Sequence, residues 1–407
     1  MSLTGDISSA VKSTTTGWKA EKRKADKNDR ISSKQYDKLR GSKKISIKQV
    51  AFDVMEAAYN IASSNGEYYA NARQIMYAAR PEILKRTGNA ELDDVYFTQT
   101  LLKDYIEERE PDWKIVWDAR GHIIEPHTNE KIGLGGIEVE RYTRKWHSHI
   151  NIEPPAIQSL NKTNGPGNRF KNVLFIEKEG FTEILTHAGI PKRYDLALMS
   201  TKGIPVKAAC DLIYEMSKTD VRVFVLHDFD LSGFKILRSL REGVRLSLGS
   251  DVIDLGLRMP DIKDLIAEPV QYKQRIDPGL YLEFDCDATQ EEIEFLVDPK
   301  GGFYKHHGQR VEINAMTSQQ LIAWLEDKLQ GYGVEKFIPD QDILSMGFRR
   351  AKYLGLVEKK MKEMQESMVE DDEEIPDDLT ELIERKFRED PSLSWDEALW
   401  KIVRDQP

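Results

Sequence analysis

Three segments between Asn172 and Leu237 constrain this chain more than any other feature. They are NVLFIEKEGFTEIL from Asn172, DLALMSTKGIPVKAACDLIYEM from Asp195 and VRVFVLHDFDLSGFKIL from Val221. Each opens on a short apolar run, breaks at polar residues or glycine, and continues with helical spacing. That is the pattern of buried parallel strands followed by helices, so the chain is expected to contain an α/β domain with a parallel sheet and flanking helices. In such sheets ligands sit beyond the carboxyl ends of the strands, where Glu177, Glu179, Asp228 and Asp230 fall. Asp228 and Asp230 are two apart, so in extended chain they leave the same face. Converging with Glu177, and with no basic residue expected to neutralise them, they would repel unless a divalent cation held them. An all-oxygen site suits Mg2+.

The rest of the chain narrows the class. Its 407 residues suffice for two or three domains, and 40% hydrophobic residues supply a core. The only cysteines, Cys210 and Cys286, exclude a disulfide framework and fit a reducing, cytoplasmic setting. No membrane span or signal peptide is expected. A net charge of -10 means that any surface for nucleic acid must be local.

Five regions are expected. Residues 1–44 read as a disordered basic arm, with twelve basic and four acidic residues between Lys19 and Lys48. Residues 45–158 show helical spacing over Ile45–Ala62, a second helix Ala70–Ala79 cut at Pro81, and a third at Val95–Glu108. WKIVWDARGHII and IGLGGIEVERY then read as a two-stranded wing. Three helices and a wing make an α+β winged-helix pattern, which presents a helix to double-stranded DNA. Arg141, Arg144 and Lys145 follow as candidate phosphate contacts. Gly, Asn and Pro mark 159–171 as a linker, 172–345 as the α/β domain with an extension, and 346–407 as a charged helical tail. In that tail Trp395, Leu399 and Trp400 are expected to share an apolar face.

The order Glu177-Lys178-Glu179, Thr201-Lys202-Gly203-Ile204-Pro205-Val206, Asp228-Phe229-Asp230-Leu231-Ser232-Gly233 resembles the Toprim domain found in the meiotic double-strand-break protein and in its relative, the topoisomerase VI A subunit. Thr201 and Val206 depart from that family's glycine and aspartate, and Cys210 stands near its usual arginine. The resemblance implies Mg2+ at Glu177, Asp228 and Asp230, DNA contact at Lys202, and a catalytic tyrosine on a helix of the winged-helix domain. Arg73-Gln74-Ile75-Met76-Tyr77 fits that place, with Tyr77 as nucleophile. A phenol of ordinary pKa about 10 needs help near neutral pH. Arg73, four residues earlier on the same helix face, would supply a cation for the scissile phosphate.

The resemblance further implies a homodimer, in which the tyrosine of one protomer meets the partner's metal, and a separate ATPase subunit for strand passage. This chain has no Walker-type loop of its own. The leading expectation is Mg2+-dependent DNA cleavage through a covalent tyrosine link. A Toprim nuclease using metal-activated water, and a non-catalytic DNA-binding scaffold, are the alternatives.

Overall fold

The computed structural model describes residues 45–117, 121–134, 136–146, 157, 165–166, 168–201, 207–244, 252–276, 281–297, 305–367 and 376–405. The basic arm, most of the linker, Lys202 with its loop, and the acidic run 368–375 lie outside the described residues.

The amino-terminal unit is built from helices. Helix Ile47–Ser63 starts at Ser46, whose hydroxyl accepts from the Gln49 amide, and buries Val50, Val54, Met55, Ala58 and Ala62. That spacing is one helical face. It packs on helix Ala72–Thr87, which opens on a capping box between Asn71 and Gln74. The expected break at Pro81 does not occur: the helix runs through it. Proline removes the amide that would bond the Tyr77 carbonyl, but Ile75, Met76, Ala79 and Ile83 are buried on both sides of it, and their packing carries the helix on. Asp94–Tyr96, a π-type turn Phe97–Leu101 and Leu102–Arg109 form the third helical segment.

The wing differs from the expectation. His122–Ile124 pairs antiparallel with Lys131–Gly133, so a short hairpin exists. Ile115–Val116, however, pairs in parallel with Ala70–Asn71 at the mouth of the helical unit. Gly136–Arg144, read as strand, is a helix. Its Ile137 is buried while Glu140 binds Lys114 and Arg144, an arrangement that only helical spacing permits.

The second unit carries a four-stranded parallel sheet in the order Leu196–Ser200, Asn172–Ile176, Arg222–Leu226, Val252–Asp254. Asn172–Ile176 and the helix Leu231–Val244 bury Phe175, Phe234, Leu237 and Leu240 in one core with Phe181 and Phe224. Burial of such side chains contributes about 1.5–3 kcal/mol each. Beyond the sheet, Glu268–Ile276 and Lys305–Arg310 form an antiparallel pair. The chain then crosses the strand ends and enters helix Ser318–Gly331, capped by Thr317 and Gln320.

The two units touch directly. Tyr69 stacks on His187 with centroids 3.9 Å apart, Gln74 Nε2 donates to the Met316 carbonyl at 2.9 Å, and Ser318 Oγ donates to the Tyr69 carbonyl at 2.6 Å. The tail comprises helices Gln341–Ser367, Leu379–Glu389 and Trp395–Asp405. In its last helix Ala398 and Ile402 are buried, whereas Trp395 and Trp400 are more than half exposed. No helix among the described residues is long and apolar enough to cross a membrane.

Candidate active site

The chain leaves strand Asn172–Ile176 for one side of the sheet and returns on the other, so the crevice between it and Arg222–Leu226 is a topological switch point. Glu177 and Asp228 emerge there side by side, with the Glu177 amide donating to the Leu226 carbonyl at 3.3 Å. Glu177 is partly buried, and its Oε2 has no hydrogen-bond partner among the described residues. Burial, then the charge of Asp228 and of Asp230, push its carboxyl up to about 7. Asp228 is almost wholly buried, and burial raises its pKa against the opposing pull of Lys178. Asp230 turns to the next helix instead, accepting from the Gly233 amide at 2.7 Å as its cap. Gly233 closes that turn because a Cβ there would lie 2.3 Å from the Asp228 carbonyl.

The expectation that no basic residue neutralises these acids is corrected. Lys178 pairs with Asp228 Oδ2 and with Glu312 Oε2, while the Ile313 amide donates to Asp228 Oδ1 at 2.8 Å. Both Asp228 oxygens are therefore engaged. Among the described residues no three acids are arranged about one point as a cation site. The oxygen chemistry suits a hard cation, and Glu177 keeps one buried oxygen with no partner among the described residues.

Glu312 is a site residue that the sequence motifs do not reveal. The segment Val311–Ile313 docks along the strand end, with Phe229 and Val311 exchanging backbone hydrogen bonds of 2.9 and 3.1 Å. This sets Glu312, only 2% exposed, among Lys178, Arg73 and Arg310. Although burial opposes it, these cations hold the carboxyl well below its ordinary range.

Arg73 and Tyr77 do share a helix face, and that face packs on the same chain's own Glu312. Arg73 Nη1 donates to both Glu312 oxygens at 2.7 and 2.6 Å, and Nη2 to Asp94 Oδ2 at 3.1 Å. Tyr77 is 3% exposed, and its hydroxyl has no partner among the described residues. Burial, then Glu312 and Glu268, raise its pKa far above the usual phenol value, with Arg310 opposing them. In this arrangement the phenol is neutral.

The other expected DNA contacts are tied up locally. Arg141 binds Glu183 of the sheet domain at 2.7 Å, Arg144 binds Glu140, and Lys145 binds Glu130. Lys202 lies outside the described residues. Below the acids, the buried His227 faces the Asp228 carbonyl through Nδ1 (2.7 Å) and Asp254 through Nε2 (3.1 Å). Both neighbours are acceptors, so both ring nitrogens carry protons. Burial opposes that charge, yet Asp254 raises the His227 pKa, and Arg258 joins Asp254 to Glu292. This layer fixes the floor of the strand ends. Its one local signal in the sequence is the histidine at position 227.

A parallel sheet in this order, with a Glu after its first strand and an Asp-x-Asp-x-x-Gly after its third, defines a Toprim domain. Residues 172–327 match the Toprim domain family of Spo11 and the topoisomerase 6 A subunit, and this part of the chain belongs to that family. Comparison with curated proteins found no match. Comparison with solved structures found none either.

Proposed function

We propose that the chain cleaves DNA by attack of Tyr77 on a backbone phosphate, forming a phosphotyrosyl link, with Mg2+ held by Glu177, Asp228 and Asp230. One observation carries the reading. The Arg73–Tyr77 helix face joins the Toprim acids through a continuous ionic network, Arg73–Glu312–Lys178–Asp228. The network sets the helix face that bears Tyr77 beside the Toprim acids of the same chain.

In this mechanism the winged-helix-like unit grips double-stranded DNA. Arg73 holds the scissile phosphate, and its charge favours the phenolate as the proton leaves Tyr77. Bound Mg2+ would supply Lewis-acid stabilisation of the charge developing on the phosphate. Glu177 would bind it through its unpartnered oxygen, with Asp228 and Asp230 completing the set. Lys178 pairs with Asp228 and would share that carboxylate with a bound cation. A homodimer would set each tyrosine against the partner's acids. Because Tyr77 here is closed against its own chain, that arrangement requires the helical unit to shift from the Toprim domain. Strand passage would need a separate ATPase subunit.

The sealed, neutral Tyr77 favours one second reading: a Toprim nuclease in which metal-activated water attacks and Tyr77 only packs. Duplex DNA incubated with Mg2+ and stopped with denaturant separates the two. The tyrosine mechanism leaves protein covalently on DNA, and Tyr77→Phe abolishes both adduct and cleavage. The water mechanism gives free ends, and Tyr77→Phe cuts at nearly the original rate.

A further inference from the structure

Positions 73, 77 and 80 lie one above another on the helix Ala72–Thr87. Arg73 binds Glu312, and Arg80 binds Glu268. Arg310, at the end of strand Lys305–Arg310, joins the two acids: its Nη2 lies 2.8 Å from Glu268 and 3.3 Å from Glu312, and its Nε lies 3.2 Å from Glu268. The result is a ladder of alternating charge, Arg73–Glu312–Arg310–Glu268–Arg80, laid across the face that carries Tyr77. Glu312 and Glu268 are buried, the Arg80 side chain is 15% exposed, and the Arg73 and Arg310 side chains are 35% and 31% exposed. Asp94, Lys178 and Asp228 complete the charged groups around it.

We infer that Arg310 and Arg80, with Arg73, form a three-guanidinium cradle for the DNA phosphate at Tyr77, and that Glu312 and Glu268 fill it when DNA is absent. The inference rests on the proposed DNA cleavage and adds two phosphate-binding residues to it. The chemistry is direct. Guanidinium forks match carboxylate and phosphate oxygens alike, so a phosphate diester can take over donors that a carboxylate holds. The exchange leaves Glu268 and Glu312 facing fewer cations, while Arg73, Arg80 and Arg310 stay together between the helix and the Toprim strand. Tyr77 is thus sealed until the anion that it would attack has arrived.

The test measures duplex binding over a range of salt, and adduct formation with Mg2+, for the full chain and for Arg310→Gln, Arg310→Lys, Arg80→Gln and Glu268→Gln. Loss of one phosphate contact lowers the slope of log affinity against log salt by about 0.9. Arg310→Gln and Arg80→Gln should each show that loss, and Arg310→Gln should slow adduct formation roughly 100-fold, as for removal of one transition-state donor. Arg310→Lys should restore the salt slope. Glu268→Gln, which frees two guanidiniums, should bind DNA more tightly and with a steeper slope. A folded Arg310→Gln chain with the parental slope overturns the cradle, as does a Glu268→Gln chain whose DNA binding weakens. If Arg310→Gln does not fold, Glu268→Gln decides alone: a steeper slope supports the cradle, and an unchanged or flatter one overturns it. A parental chain that makes no adduct, but whose slope falls in Arg310→Gln, keeps the cradle and removes the tyrosine mechanism.

Discussion

Tyr77→Phe should make the protein more stable while removing its chemistry. The ring of Tyr77 is packed in the helical core with Ile75, Met76 and Ala79, and Phe preserves that packing. What it removes is a hydroxyl with no hydrogen-bond partner among the described residues, at 3% exposure. An unsatisfied buried polar group costs about 1–3 kcal/mol relative to its hydrated state in the unfolded chain. The phenol also faces Glu312 and Glu268, neither of which accepts from it. Relief of roughly 1 kcal/mol is therefore expected. Urea unfolding is the cleaner assay, because the midpoint should rise with an unchanged slope. Stabilisation on removing a reactive group is the mark of a site that carries strain for function. Destabilisation by more than about 1 kcal/mol would mean that the hydroxyl makes a native hydrogen bond, and the account of a sealed, unpartnered nucleophile would be wrong.

Three further outcomes follow from the same contacts. Asp228→Asn should abolish cleavage with the fold intact, since the amide oxygen can still accept from Ile313 while the charge facing Lys178 and Mg2+ is lost; retained Mg2+-dependent cutting of supercoiled DNA would contradict this. Arg73→Ala should slow adduct formation more than it weakens DNA binding, because its proposed role grows as charge develops; equal losses in single-turnover cleavage and in binding would assign it to binding only. Glu312 titrates below its ordinary 4.5, so its ion pairs stabilise fully above that pH and are lost as pH falls towards about 2. Glu312→Gln should therefore be less stable at neutral pH, by about 1–3 kcal/mol, since Arg73, Lys178 and Arg310 keep Asp94, Asp228 and Glu268 as partners, and should lose stability less steeply than the parent in acid melts.

The strands and their order of acids were legible in the sequence because buried parallel strands write themselves as short apolar runs, and Asn172–Ile176, Leu196–Ser200 and Arg222–Leu226 are all such runs. Helix Ile47–Ser63 was legible for the same kind of reason, its apolar face repeating at helical spacing. Pro81 misled because a local rule yielded to packing on both sides of it. Gly136–Arg144 misled because Ile-Glu-Val-Glu alternates like a strand, while its Glu140–Arg144 ion pair spans one helical turn. Glu312 and Glu268 were hidden for a deeper reason. They reach the site only when distant segments cross the strand ends, and no local spacing reports a contact 239 residues apart such as Arg73 to Glu312. Arg80 was within reach of the sequence, lying one helical turn beyond Tyr77. Lys178 was too, standing inside the very motif from which the acids were read.

The central claim is that Tyr77 supplies the oxygen for a covalent bond to DNA. Its most direct measurement is peptide mapping of nuclease-trimmed complexes trapped by denaturant from Mg2+ reactions on duplex DNA. Attack by Tyr77 leaves one nucleotide-bearing peptide containing Tyr77, absent when Mg2+ is chelated and absent from Tyr77→Phe. Cleaved DNA with no protein-linked ends, or a nucleotide on another residue, would contradict it.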